Sequence, residues 1–121
     1  FDLLEKRVTF LNELADGGFC QLHAEQNDIC HQPYPDDRFD VVTMLEVLEH
    51  IPDVERAVAT AVKMAKQYVV VTVPSKPDNN PEHIHLLTKD KLSQMFSAAG
   101  CTRLHFDGVE GHLFMAAALA Q

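Results

Sequence analysis

No apolar run in the chain approaches the ~20 residues needed to cross a bilayer, and the longest, at 68–73 and 113–120, have the length of strands. A membrane is therefore not an expected partner. Basic residues are also scarce: 10 Lys and Arg stand against 18 Asp and Glu, for a net charge of −8. A phosphate backbone would be repelled on average, so nucleic acid is not expected either. The three cysteines, Cys20, Cys30 and Cys101, are scattered and form no C-x-x-C pair. That leaves a disulfide framework and a zinc knuckle unsupported, and odd, widely spaced thiols suit a reducing cytoplasm. There is no G-x-S-x-G, Walker loop or H-E-x-x-H, which removes the hydrolase and P-loop readings. The chain opens at Phe1 with neither an initiator Met nor a visible signal peptide, as expected of a fragment.

What is present is the balance of a soluble globular domain. Of 121 residues, 46% are hydrophobic and 23% charged, which excludes a disordered tail, a coiled coil and a collagen-like fibre. One domain over 1–121 is expected. Residues 3–14 place Leu3, Leu4, Val8, Leu11 and Leu14 on one helical face, and Asp16-Gly17-Gly18 stops the helix. Alternation over 19–24 predicts a strand, and the polar stretch 25–38, with Pro33 and Pro35, predicts a loop. The apolar run 39–45 reads as a buried strand. Asp53 caps a predicted helix to about Lys66, with Val54, Val58, Ala61, Val62 and Ala65 inward. Residues 68–73 (YVVVTV) are the clearest strand, apolar on both faces and so suited to the middle of a covered sheet. Thr88 caps a helix closed by Gly100, and 101–107 with 112–119 predicts a terminal hairpin. Strands alternating with helices, then an antiparallel pair, predict an α/β sheet, mostly parallel, with an antiparallel C-terminal hairpin.

Ligands of open α/β sheets bind beyond the carboxyl ends of the strands. The polar groups there cluster after Met44, in Leu45-Glu46-Val47-Leu48-Glu49-His50. On a helical turn Glu46 faces Glu49 and His50, and two carboxylates with an imidazole hold a divalent cation or move protons. The same residues also suit a solvated first turn. The loop after 68–73 adds His83 and His85, because neighbouring strand ends lie side by side; alternating histidines there also suit an ordinary polar loop. His23, His31, His105 and His112 read as structural or exposed, and Met44, Met64, Met95 and Met115 as core filler.

Asn27-Asp28-Ile29 followed by Pro33-Tyr34-Pro35-Asp36-Asp37-Arg38-Phe39-Asp40-Val41-Val42 resembles the middle of class I S-adenosylmethionine-dependent methyltransferases. Glu46-Val47-Leu48-Glu49-His50-Ile51, Val73-Pro74, His83, Thr88, Leu92 and Ala98-Ala99-Gly100-Cys101 continue the likeness in order, so that it runs from Phe1 to Leu119. The resemblance implies a Rossmann-like methyltransferase sheet. It assigns Asp2 to the ribose hydroxyls of S-adenosylmethionine, Leu3 and Ile29 to the adenine faces, and Asp28 to the adenine amino group. Met44, Leu45 and Glu46 fall to the methionine end. The family's first strand and Gly-rich loop have no counterpart in the chain, so the resemblance implies an N-terminally truncated domain with exposed sheet edges open to self-association.

Glu-x-x-Glu-His with a later His is similar to a subset of the family in which such groups hold magnesium. That likeness implies Glu46, Glu49, His50 and His83 as ligands of Mg2+, and without a metal it implies His50 or His83 as general base. Methyl transfer to an O or N of a small-molecule acceptor is the expected reaction. A non-catalytic methyltransferase-like interaction module is the alternative, and a nicotinamide-binding Rossmann protein ranks below both because the chain has no G-x-G-x-x-G.

Overall fold

The computed structural model describes residues 1, 3–18, 21–31 and 34–119. They fall into two compact units, Phe1–Pro33 and Tyr34–Gln121. In the first, helix α1 (Glu5–Asp16) buries only Val8. Leu11 is half-buried, whereas Leu3, Leu4 and Leu14 of the predicted apolar face are exposed. The predicted strand at 19–24 is corrected over its described part, 21–24, which is not a strand; Phe19 and Cys20 lie outside the described residues. At Ala24 the Asn12 side chain, twelve residues away, donates from Nδ2 to the carbonyl and accepts from the N–H, both at 3.0 Å. A side chain thus occupies the backbone groups that a neighbouring strand would pair. A single 3₁₀ turn, Ile29–His31, follows.

The second unit is built on a four-stranded sheet. Its strands are β1 (Phe39–Leu45), β2 (Ala65–Pro74), β3 (Cys101–Val109) and β4 (His112–Leu119), in the order β1-β2-β4-β3. β1 and β2 run parallel, with Val42 opposite Val69 and Leu45 opposite Thr72. β4 is antiparallel to both β2 and β3, so the C-terminal hairpin inserts β4 beside β2. Gly111, at φ +79°, makes the tight turn of that hairpin. The parallel connection needs a crossover, and helix α2 (Val54–Met64) supplies it. The Asp53 side chain caps α2 by accepting from the Arg56 N–H at 3.3 Å. Helix α3 (Lys89–Ala98) is capped in the same way, Thr88 Oγ1 accepting from the Lys91 N–H at 3.2 Å.

α2 packs on β1, β2 and α3, and α3 also packs on β3, so both helices cover one face of the sheet. Their inward residues Val58, Ala61, Leu92 and Phe96 are buried with Val69, Val71, Val73 and Met115. Each such Val, Leu, Met or Phe contributes about 1.5–3 kcal/mol when fully buried. Met44 and Met64 are buried as well, and Met95 is half-buried. The other face is less covered: Val70 and Thr72 are half-buried and Tyr68 is exposed. The expectation of a buried strand at 39–45 is corrected here. β1 is an edge strand among the described residues, and Val41 (46%) and Leu45 (57%) are exposed.

Candidate functional site

β1 ends at Leu45, and the chain turns sharply at Glu46, whose φ of +57° puts a non-glycine residue in the left-handed region. Its N–H is held by the carbonyl of Thr72 at 2.9 Å and by Thr72 Oγ1 at 3.2 Å, which fixes the turn to the end of β2. Glu46 is therefore not on a helical turn with Glu49 and His50, as its spacing predicts. The helical geometry begins two residues later, in the 3₁₀ turn Leu48–His50. Glu46 Oε1 instead meets His112 Nδ1, at 2.5 Å. β4 begins at His112, directly opposite Pro74, so the hairpin register delivers this histidine to the carboxyl end of β2. His112, read from the sequence as structural or exposed, is thus a site neighbour. Only the long-range pairing of β4 with β2 reveals it.

The loop 75–88, between β2 and α3, folds against the 3₁₀ turn. The Glu49 carbonyl accepts from Ile84 N–H at 2.9 Å and from His85 N–H at 3.3 Å. His85 Nε2 also lies 2.7 Å from the Ile51 carbonyl, which acts as its acceptor. These contacts place His83 beside His50, with ring centroids 4.6 Å apart and planes at 72°. Glu49, His50 and His83 each offer a ligand atom within 4.8 Å of the others. His85 belongs to the tether and is not part of that trio.

Glu49 is the unusual member. It is 1% exposed, and neither carboxylate oxygen has a hydrogen-bond partner. His50 Nε2 lies 3.5 Å from Oε1. Burial pushes the Glu49 carboxyl above the ordinary carboxylate range; its own backbone amide opposes the rise, the Glu46 charge adds to it, and His50 and His83 oppose it. A buried carboxylate without donors is costly unless a cation or proton joins it. The donor set of one carboxylate and two imidazoles fits a divalent ion.

Asp78 was not among the residues singled out from the sequence. Its Oδ2 lies 2.6 Å from His83 Nδ1, and its Oδ1 accepts from Asn80 N–H at 2.9 Å. The His83 ring N–H, and then the Asn80 N–H, hold the Asp78 carboxyl below its ordinary range. The only advance signal is an aspartate five residues before His83 in a proline- and asparagine-rich loop.

Met44 is buried, while Leu45 and Glu46 stand at the carboxyl end of β1, where such sheets take their ligands. Asp2 lies outside the described residues, and Leu3 is exposed. Asp28 Oδ1 accepts from Cys30 N–H at 2.9 Å, and Oδ2 lies 3.5 Å from His31 Nε2, so Asp28 caps the 3₁₀ turn that carries half-buried Ile29.

Residues 5–105 match the family model described as a methyltransferase domain. The ubiquinone biosynthesis O-methyltransferase of Aeromonas salmonicida is 30% identical over 124 residues, covering 85% of this chain. The chain spans 50% of that relative's length. Among solved structures, an S-adenosylmethionine-dependent methyltransferase from Aquifex aeolicus superposes with a TM-score of 0.80 at 16% identity, over 98% of this chain and 66% of that one. The YcgJ protein of Bacillus subtilis gives 0.82 at 14%, over 99% and 81%. At such identities the superpositions speak for the fold. With a family model spanning most of its length and a methyltransferase sheet beneath it, the chain belongs to the class I S-adenosylmethionine-dependent methyltransferases.

Proposed function

We propose that the protein transfers a methyl group from S-adenosylmethionine to an oxygen or nitrogen of a small-molecule acceptor. The observation that carries this reading is the buried, unpartnered Glu49 carboxylate beside His50 and His83, at the turn after β1. The likeness to a ubiquinone biosynthesis O-methyltransferase favours a hydroxyl acceptor. The acidic charge, −8, favours a small metabolite over nucleic acid. An odd number of widely spaced cysteines favours the cytoplasm, and no helix of the described residues is long and apolar enough to cross a membrane. The exposed β1 edge favours self-association.

The cofactor supplies an activated methyl on a sulfonium, so the residues have two tasks: positioning the acceptor in line and removing its proton. Asp2 and Asp28 take the ribose and adenine, Leu3 and Ile29 the adenine faces, and Met44, Leu45 and Glu46 the methionine end. Without a metal, His50 or His83 receives the acceptor proton. Glu49, His50 and His83, with the Glu46 charge nearby, would hold Mg2+, which lowers the pKa of a bound hydroxyl. Calorimetric titration of S-adenosylhomocysteine, with and without magnesium, into the 121-residue chain and into an N-terminally extended form tests the reading. Binding by the extended form, strengthened by magnesium, is expected. No binding by a folded extended form sinks it.

A further inference from the structure

His83 has two ring nitrogens, and only one can carry the proton when the ring is neutral. Nδ1 lies 2.6 Å from Asp78 Oδ2, and an ionised carboxylate only accepts, so Nδ1 is the protonated nitrogen. Nε2 is left with its lone pair, and among the described residues the group hydrogen-bonded to it is the Asn80 amide, at a long 3.4 Å. The surrounding loop is wound to hold this arrangement. Asp78 Oδ1 accepts from Asn80 N–H at 2.9 Å, Asn80 Oδ1 accepts from Glu82 N–H at 2.9 Å, and the Asn80 carbonyl accepts from His83 N–H at 3.0 Å. One carboxylate thus shapes the turn with one oxygen and orients the imidazole with the other.

We propose that Asp78 is a positioning residue that locks His83 in the Nδ1–H tautomer, so that Nε2 is the nitrogen available to accept a proton or bind a cation beside Glu49 and His50. The proposal rests on the role given to His83 above. A carboxylate behind a working histidine fixes ring orientation and raises the basicity of the far nitrogen. Lys76 and Asp78 line the same small cleft as His83 and His85, together with Pro74, Pro77, Ile84 and Leu86. The dyad therefore borders open space rather than the packed core.

Asp78→Asn separates the two tasks of the side chain. Its amide oxygen still accepts from Asn80 N–H and keeps the turn, but its NH2 faces Nδ1 and forces that nitrogen to accept. Long-range 1H–15N correlation of imidazole-labelled, metal-free protein, at a pH where the ring is neutral, reads the tautomer, with Asp78→Asn compared against His83→Gln for assignment. The wild type should show Nδ1–H and Asp78→Asn mainly Nε2–H. Mn2+ affinity, followed by electron paramagnetic resonance, should fall about 10–100-fold in Asp78→Asn and recover in part in Asp78→Glu. A wild-type Nε2–H tautomer, or an unchanged tautomer in Asp78→Asn, overturns the proposal. If Mn2+ binds neither protein, the cation reading of the site fails, while the nitrogen shifts alone still support or overturn the role of Asp78.

Discussion

Replacing Glu49 by Gln should stabilise the metal-free protein at neutral pH. The wild-type side chain is 1% exposed with two unpartnered oxygens, so ionising it in place costs more than ionising it in the unfolded chain. The sign follows from its raised pKa. Between the ordinary carboxylate value and the raised one, the native state holds the proton that the unfolded state has released. Stability therefore falls as pH rises through that window and stays low above it. Gln carries no charge at any pH, although its amide keeps some cost of burial. The net gain expected at neutral pH is about 1–3 kcal/mol. Unfolding entropy of about 2.1 cal/mol/K per residue, over 121 residues, turns each kcal/mol into about 4 °C. Thermal denaturation in a chelator should thus show Tm higher by about 4–12 °C, and the downward slope of the wild type above the ordinary carboxylate range should flatten. Adding Mg2+ should raise Tm of the wild type and leave Glu49→Gln where it was. A variant no more stable than wild type at neutral pH, with the same pH slope, refutes the argument that this carboxylate is buried at a cost.

Asp53→Ala removes the cap of α2 and should lower stability by about 1 kcal/mol, about 4 °C in Tm, with no change in S-adenosylhomocysteine affinity; an unchanged melting curve means the cap contributes nothing. Val41→Lys puts a charge on the exposed face of edge strand β1 and should shift sedimentation toward a single monomer without altering Tm. A self-associating species that persists in Val41→Lys argues that the β1 edge is not where copies meet.

The fold was legible wherever the signal was local. The caps at Asp53 and Thr88 and the hairpin around Gly111 each depend on residues a few positions apart, and each stands where the pattern put it. Residues 68–73 form a strand as expected, but burial alternates along it, so only one of its two apolar faces is fully covered. Apolarity at 39–45 told of a strand but not of its neighbours, and coverage depends on what lies beside it. The stretch 21–24 has strand alternation, yet its backbone is claimed by Asn12, twelve residues from Ala24. In the site, the meeting of the His83 loop with the Glu49 turn follows from the order of the strand ends. The partner of Glu46 does not, because spacing cannot announce a positive φ, and His112 arrives through the register of β4, which places it opposite Pro74 at the end of β2. Asp78 is visible only as a hydrogen bond across a loop whose composition otherwise predicts irregular structure.

The three hydrogen bonds from the Ile84 amide, the His85 amide and the His85 ring to the carbonyls of Glu49 and Ile51 divide the connection between β2 and α3 into two shorter spans. A free loop of that length would sample a wide volume, and each encounter of His83 with Glu49 would be paid for in chain entropy at the moment of use. Tied at Ile84 and His85, the loop incurs that cost once, during folding. The acidic turn and the imidazole loop then share one backbone junction, so a displacement of either carries the other along, and their spacing is conserved through motions that would scatter an untethered pair.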